Sequence, residues 1–209
     1  MILAIDLGST SFKAAIVDNR LRAHGTSSAP LQYHFAAAGH VELDVAEAER
    51  AFRKAVSAVL RATDTRATEL RGIAITSQAQ TFTVVGKNRR PKMRFISWQD
   101  ERAGAACEML KRSRALADFA EHGSFGSLLP ALQISQIKHL QQTRPGLIQP
   151  HDIVLKLLSY FVLRLTDRAV VDDNLAAMSG LYSLVERDWW AAALATCHLT
   201  CIFHNSFDF

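Results

Sequence analysis

The sequence has few cysteines and prolines, three and five among 209 residues, and it contains no long uninterrupted apolar segment. Three cysteines do not make the even-numbered framework of a disulfide-stabilised secreted domain. The longest strongly apolar stretch, residues 153–165, is interrupted by Lys156 and Arg164 and is too short to cross a bilayer. It predicts a buried helix behind an N-cap at Asp152, and we expect no membrane partner.

An excess of charge of one sign is also missing. The formal net charge is +4, and 49% hydrophobic with 21% charged residues is typical of a globular protein. The densest basic stretch, residues 87–94, contains no aromatic residue, which favours a solvated hairpin tip over a nucleic-acid site. The first residues show no basic leader followed by an apolar core and a cleavage site, so we expect a cytoplasmic location.

Cysteine and histidine cluster near the end of the sequence, at Cys197, His198, Cys201 and His204. Their spacing matches no established zinc pattern, and the neighbouring residues offer no second pair of ligands. We therefore expect no metal site in this cluster.

The hydrophobic pattern indicates strands first and helices later. A helix is predicted after Asp44, with Glu47 as its capping-box partner. Strands are predicted at 2–6, 12–18, 21–26, 73–76, 81–85 and 94–98, and further helices at 101–111, 115–119, 132–141 and 153–165. A leading antiparallel meander followed by strand–helix alternation indicates an α/β fold with a mixed sheet flanked by helices. We expect one domain over residues 1–195 and an atypical tail over 196–209.

The first strand runs into a small-residue turn that carries a carboxylate and a lysine. Glycine lets backbone amides approach an anion closely, and the neighbouring hydroxyl groups add donors. Asp6 could hold a hydrated magnesium ion, because such ions are bound through one or two carboxylates plus substrate phosphates. A plain hairpin turn is the alternative. The candidate phosphate-binding residues are Asp6, Gly8, Ser9, Thr10, Ser11 and Lys13.

Two later segments also carry polar groups at strand ends. In residues 73–81 an apolar strand gives way to small and amide side chains, where a mixed sheet delivers residues into a cleft. Residues 96–102 place an aromatic ring, a carboxylate and a guanidinium within five positions, a combination that suits sugars. The alternatives are that Trp98 is simple core, and that Asp100 and Arg102 are a helix cap and its ion pair.

Taken in order, these segments resemble the amino-terminal half of the FGGY family of sugar and polyol kinases, which includes the xylulose, gluconate, ribulose and glycerol kinases. Residues 6–13 resemble its first phosphate motif, and residues 72–81 resemble its Ile-x-Ile-x-x-Gln strand. Trp98-x-Asp100-x-Arg102 matches its Trp-x-Asp-x-Arg motif, and residues 165–172 resemble Leu-Thr-Gly-x-x-x-x-Asp. The resemblance covers residues 1 to about 195.

The resemblance implies an actin-like, ribonuclease H-like ATPase domain with a mixed five-stranded sheet, and ATP-dependent phosphorylation of a sugar or polyol hydroxyl. It implies ATP and Mg²⁺ as cofactors, with Asp6 reaching the metal through water and the candidate phosphate-binding residues facing the nucleotide. The implied substrate residues are Gln78, Ala79, Gln80, Trp98, Asp100 and Arg102. The family's catalytic aspartate falls beyond Phe209, and its second, ATP-binding domain is absent from these residues. The isolated chain is therefore expected to be inactive, with a C-terminal kinase domain or a homodimer partner completing the site.

The sequence departs from the family at two places. Ala79 and Gln80 stand where well-known members have Met-His or Arg-Glu, so the pocket is expected to be roomier and less charged, and the sugar is not named. Asp167 stands in place of a helix-ending glycine, and it can adopt the left-handed conformation at some cost. A non-catalytic sugar-binding or interaction module, as a remnant or half of a split enzyme, is the alternative function. A nuclease on the same fold ranks last, because Asp6 lacks obvious carboxylate partners.

Overall fold

The computed structural model describes residues 1–37 and 39–199. The chain divides into two compact units, a first unit of residues 1–33 and 43–78 and a second unit of residues 34–42 and the chain from 79 onward. The expectation of one domain over residues 1–195 stays a prediction. Within the described ranges, no helix combines the length and the apolar character needed to cross a membrane.

The predicted strands and helices occur in the predicted order, except at residues 153–156, and the structure adds short elements that were not predicted. The strands are β1 Ile2–Leu7, β2 Ser11–Val17, β3 Ala23–Pro30, β4 Tyr33–Phe35, β5 Val41–Leu43, β6 Gly72–Ser77, β7 Phe82–Val85, β8 Phe95–Ile96, β9 Ile153–Lys156, β10 Tyr182–Ser183 and β11 Asp188–Trp189. The helices are α1 Val45–Ala62, α2 Gly104–Lys111, α3 Phe119–His122, α4 Gln133–Thr143, α5 Leu157–Thr166, α6 Asp173–Ala177 and α7 Ala191–Thr196. Short 3₁₀ turns lie at Ala67–Glu69 and Arg114–Leu116.

The first unit is a mixed sheet with one long helix. The strand order is β3-β2-β1-β6, with β1 antiparallel to β2 and parallel to β6. Alternation along β1 buries Leu3, Ile5 and Leu7 on one face and leaves Asp6 partly exposed on the other. Helix α1 packs against β2 and β3, and it begins at Asp44, whose carboxylate accepts from the Ala46 amide at 2.9 Å. The predicted antiparallel meander and the predicted cap at Asp44 are thus confirmed. The expected mixed sheet is also confirmed, and in the described residues of the first unit it has four strands.

The second unit holds a five-stranded sheet in the order β4-β5-β8-β7-β9. Its core combines buried side chains of this sheet, such as Phe82, Ile96 and Val154, with residues of α2, α4 and α7. Because β7 runs antiparallel to β9, Phe82 lies opposite Lys156. This register places Lys156 at the end of β9, the outermost strand in this order, and its side chain is buried.

The predicted single helix over residues 153–165 is wrong in its first turn. Residues Ile153–Lys156 form strand β9, and the helix begins at Leu157. Asp152 does not cap it, because its carboxylate accepts from the Gln149 amide at 2.8 Å and pairs with Lys92 at 2.5 Å. When a short segment is buried on both faces, its residues do not alternate between apolar and polar. The sequence pattern therefore does not distinguish a buried strand from a buried helix here. The end of α5 agrees with expectation, since Asp167 adopts φ +63°.

Candidate functional site

Residues 8–11 connect β1 to the first residue of β2 and form the candidate phosphate-binding turn, or phosphate turn. A Cβ atom at position 8 would lie 2.9 Å from the Ser11 carbonyl oxygen, closer than side-chain carbons are found to backbone oxygens. Glycine is therefore required for the two sides of the turn to approach. The two Asp6 carboxylate oxygens lie 3.7 and 3.8 Å from the same point, so Asp6 reaches over the turn.

Asp6 and Lys13 face each other across β1 and β2. They are register partners, and the Asp6 Oδ2 atom lies 3.8 Å from the Lys13 Nζ atom. The Asp6 side chain is 45% exposed and the Lys13 side chain 61% exposed, so both remain hydrated. An accessible carboxylate beside an accessible cation suits a hydrated metal ion and a phosphate, because Mg²⁺ keeps most of its water shell. These residues fit the implied magnesium-nucleotide group.

Gln78 supports the phosphate turn from β6. Its Nε2 donates to the Gly8 carbonyl at 3.2 Å and to the Tyr33 hydroxyl at 3.1 Å, while its backbone amide donates to the Leu7 carbonyl at 3.0 Å. Burial raises the pKa of Tyr33, so its hydroxyl stays protonated. Gln78 was predicted as a substrate residue, and its observed contacts fix the turn. Its contact with a substrate stays a prediction.

Asp100 and Arg102 form a buried ion pair in the second unit. The Arg102 Nε and Nη2 atoms lie 2.8 and 2.6 Å from the Asp100 carboxylate, and Arg102 Nη1 lies 2.9 Å from Glu42. Asp100 also accepts from the Val41 amide at 2.7 Å, and Gln136 Nε2 donates to its carbonyl at 3.0 Å. The ion-pair alternative is thus observed, whereas α2 has no side-chain cap. The pair fixes the backbone of the segment that carries Trp98.

Trp98 presents a large exposed ring next to this fixed segment. It is 43% exposed, and its backbone amide donates to the Thr81 Oγ1 atom at 3.2 Å. This exposure rules out the interpretation of Trp98 as simple core. An accessible aromatic face on a rigid backbone is suited to stacking against the apolar face of a sugar ring.

Gln80 and Lys156 form a second buried polar group in the same unit. Gln80 is 8% exposed, its Nε2 donates to the Met178 carbonyl at 2.5 Å, and its Oε1 accepts from Lys156 Nζ at 3.1 Å. Burial lowers the pKa of Lys156 to about 7, against an opposing effect of the Asp172 charge. Ala79 packs against the small apolar cluster that includes Leu175 and Tyr182. Sequence reasoning missed Lys156 because it was assigned to a helix; its signal was a lysine inside an apolar stretch.

The structure therefore places the candidate residues in two groups. Asp6, the phosphate turn, Lys13 and Gln78 lie together in the first unit, and Ala79, Gln80, Trp98, Asp100 and Arg102 belong to the second. Within the second unit, Gln80 and Trp98 are connected through Thr81, which follows Gln80 and binds the Trp98 amide.

The cysteine and histidine cluster falls partly outside the described residues, because Cys201 and His204 lie beyond residue 199. Cys197 is buried, its thiol lies 3.8 Å from the Ile134 carbonyl, and burial raises its pKa to about 12. A thiol held in its protonated form is a poor metal ligand. Over the part of the chain that the structure describes, no three His, Cys, Asp or Glu side chains gather as metal ligands.

Comparison with known proteins identifies the family and the fold. The profile of the FGGY family of carbohydrate kinases, N-terminal domain, matches residues 1–203. A glycerol kinase from Agrobacterium fabrum is 28% identical over 195 residues, which is 90% of this chain and 39% of that protein. A crystal structure of a xylulose kinase from Brucella ovis superposes with a TM-score of 0.89 at 21% identity, covering 98% of this chain and 42% of that one. A glycerol kinase from Plasmodium falciparum, solved with ADP, gives a TM-score of 0.86 at 18% identity over 95% of this chain and 41% of that one.

These structural neighbours establish the actin-like ATPase fold, and the phosphate turn with its carboxylate and lysine lies in the sheet of that fold. The chain belongs to the FGGY family of carbohydrate kinases, and it corresponds to their N-terminal domain. It spans about two fifths of the length of the relatives it matches. The activity of those whole proteins therefore involves more polypeptide than these residues.

Proposed function

We propose that this chain is the N-terminal domain of a kinase that uses ATP to phosphorylate a hydroxyl group of a sugar or polyol. The observation that carries the proposal is the Asp6–Lys13 pair beside the glycine-dependent phosphate turn, in a chain that matches the family profile over residues 1–203. Transfer of a phosphoryl group depends mainly on positioning and charge neutralisation, and these residues offer both. A cytoplasmic location is part of the proposal.

Each group of residues has a defined part in this proposal. Asp6 would hold magnesium through water, and Gly8, Ser9, Thr10, Ser11 and Lys13 would meet the nucleotide phosphates, with Gln78 holding the turn in shape. The bound magnesium would neutralise phosphate charge. Trp98 would stack on the sugar, with Ala79 and Gln80 lining the pocket. The buried pair of Asp100 and Arg102 would keep that segment rigid.

We further propose that the isolated 209-residue chain does not turn over, and that a C-terminal kinase domain or a second copy completes the site. The support is the length comparison, since the Agrobacterium fabrum relative is matched over only 39% of its length. Removing water from the reacting groups and closing a cleft over them usually require contributions from both sides of the site.

A coupled ADP-release assay tests this proposal with the purified chain, Mg²⁺, ATP and a panel of pentoses, hexoses and polyols. We expect no release above the rate without sugar. We also expect magnesium-dependent binding of ATP, measured by calorimetry, to weaken at least about tenfold in Asp6→Asn, the range for one lost charged contact. Glu49→Gln, on helix α1, is the matched control. Sugar-dependent turnover by the chain alone would refute the inactivity proposal, and unchanged ATP binding in Asp6→Asn would refute the assigned site.

A further inference from the structure

A small cavity on the second unit is lined by arginine side chains. It has a volume of about 220 Å³, which is room for several water molecules or for one small ion. Two guanidinium groups, one carboxylate and two apolar side chains line it: Arg94, Arg144, Glu42, Met93 and Ile96. All five residues belong to the second unit, and none of them is a candidate residue for the nucleotide or the sugar.

Three distant segments of the chain bring these side chains together. Strands β5 and β8 are neighbours in the sheet, so Glu42, in the middle of β5, lies close to Arg94, which directly precedes β8. Ile96 follows Arg94 by two positions, the spacing that places side chains on one face of a strand. Arg144 comes from helix α4, where it is the C-cap residue. The sheet therefore supplies one guanidinium group of the cavity and a helix supplies the other.

Positive charge exceeds negative charge around this cavity. The Glu42 carboxylate lies 2.9 Å from the Arg102 Nη1 atom and 3.5 Å from the Arg94 Nη1 atom, so its closer contact is with Arg102. Asp100 is fully buried and also binds Arg102. For Arg144, the described residues provide no ion pair and no side-chain hydrogen bond. The described part of the protein thus places three guanidinium groups beside two carboxylates.

His139, about one turn before the end of α4, responds to the same positive charge. Burial lowers the pKa of its imidazole, and the charges of Arg102 and His40 lower it further, against an opposing effect of Asp100. A positive potential of this kind attracts an anion, and the attraction is stronger where the protein displaces water.

The pair of guanidinium groups suits a phosphate group. A guanidinium presents its N–H donors in a planar fork, which matches two oxygens of a carboxylate or of a phosphate. A carboxylate has two oxygens and one charge, so one guanidinium satisfies it. A phosphate group carries nearly two charges and has further acceptor oxygens, so it can bind a second guanidinium. The apolar side chains of Met93 and Ile96 offer no competing donor or acceptor.

We propose that this cavity is a binding site for a phosphate group, held between Arg94 and Arg144, either as the free ion or as a phosphate ester. On binding, Arg94 would exchange its 3.5 Å contact with Glu42 for a phosphate oxygen, while Glu42 keeps its closer contact with Arg102. The site is different from the phosphate turn, which belongs to the first unit. The inference does not rest on the proposed kinase function.

Titration of the purified 209-residue chain with inorganic phosphate tests this site. Nuclear magnetic resonance of the arginine Nε–H groups follows Arg94 and Arg144 individually, without magnesium, at constant ionic strength and at about pH 8, where phosphate carries nearly two charges. We expect saturable shifts of both signals, with acetate binding at least about tenfold more weakly, the range for one hydrogen bond to a charged group. A parallel titration with methyl phosphate shows whether the site prefers an ester or the free ion.

Arg144→Met should weaken phosphate binding at least about tenfold. Arg168→Met removes the same charge from an exposed position that does not line the cavity, and it should leave binding unchanged. Lys13→Met, which changes the candidate nucleotide site, should also leave the Arg94 and Arg144 shifts unchanged. Magnesium-ATP binding is measured separately, so failure of this site and failure of the proposed function are distinguishable.

Two results would overturn the inference. One is the absence of saturable phosphate shifts in the wild-type chain, or acetate binding as tight as phosphate binding, and this comparison does not depend on any variant folding. The other is phosphate binding that survives Arg144→Met, since Arg144 would then serve only as a solvated residue at the end of α4.

Discussion

Lys156 and Asp100 are both charged side chains with almost no solvent exposure, but their surroundings differ. Asp100 has a guanidinium, a backbone amide and an amide side chain around it. Lys156 has a neutral oxygen and a more distant carboxylate. The free-energy cost of burying a charge depends on how far neighbouring groups compensate it. Removing the charge should therefore destabilise the protein at Asp100 and stabilise it at Lys156.

Replacing Asp100 should destabilise the protein. Asp100→Asn keeps the shape but leaves Arg102 with Glu42 as its remaining carboxylate partner. We expect the free energy of unfolding to fall by about 3 kcal/mol, the lower range for breaking a buried pair. Urea denaturation followed by circular dichroism measures this. Asp118→Asn, the same change at an exposed position, should have no measurable effect. A loss as small as that of the control would contradict the structural role assigned to Asp100.

Replacing Lys156 should stabilise the protein in a pH-dependent manner. Burial lowers the pKa of Lys156 from 10.5 to about 7, so the unfolded chain binds this proton more tightly than the folded chain. The loss of stability caused by burying the charged form of Lys156 is therefore fully present below pH 7, and it becomes smaller as the pH rises towards 10.5. We expect Lys156→Met to be more stable than the wild type at pH 6, with an advantage that shrinks as the pH rises to 9. Parallel urea titrations at both values measure the difference, and a gap that does not change with pH would contradict it.

At the scale of elements, helix caps show what local pattern predicts well and badly. Asp44 and Glu47 predicted the start of α1 correctly, since a cap involves atoms only two or three residues away. Asp152 looked like a similar cap, but its carboxylate binds Lys92, 60 residues earlier. That contact, and the pairing of β9 with β7, depend on distant parts of the chain.

The cap of α1 gives a test at this scale. Asp44→Ala removes the acceptor of the Ala46 amide and should lower the free energy of unfolding by about 1 kcal/mol. Asp44→Asn keeps an acceptor oxygen and should retain most of the stability. Thermal and urea melts of both variants measure the difference. Equal losses in the two variants would mean that the charge of Asp44, rather than its capping bond, is what matters.

At the scale of the whole molecule, the chain resembles its relatives over nearly all of its own length and less than half of theirs. Its two compact units carry different groups of candidate residues, the phosphate turn in one and the Trp98 segment in the other. The expected absence of turnover belongs to this scale. We expect it because the chain spans only about two fifths of the length of its relatives, and not because any single side chain is defective.

The sequence by itself determined most of the strands and helices of the first unit, the glycine turn between β1 and β2, and the family, because these depend on residues close together in the chain. Periodicity, caps and short motifs record such local preferences directly. The tertiary structure decided the contacts across long separations: Gln78 on the Gly8 carbonyl, Glu42 and Gln136 around the Asp100–Arg102 pair, and Lys156 on Gln80. These partners lie 36 to 76 residues apart along the chain, apart from Asp100 and Arg102 themselves. Whether a charged side chain is solvated, paired or buried with a neutral neighbour depends on such partners, so the burial of Lys156 beside Gln80 became visible only in the folded molecule.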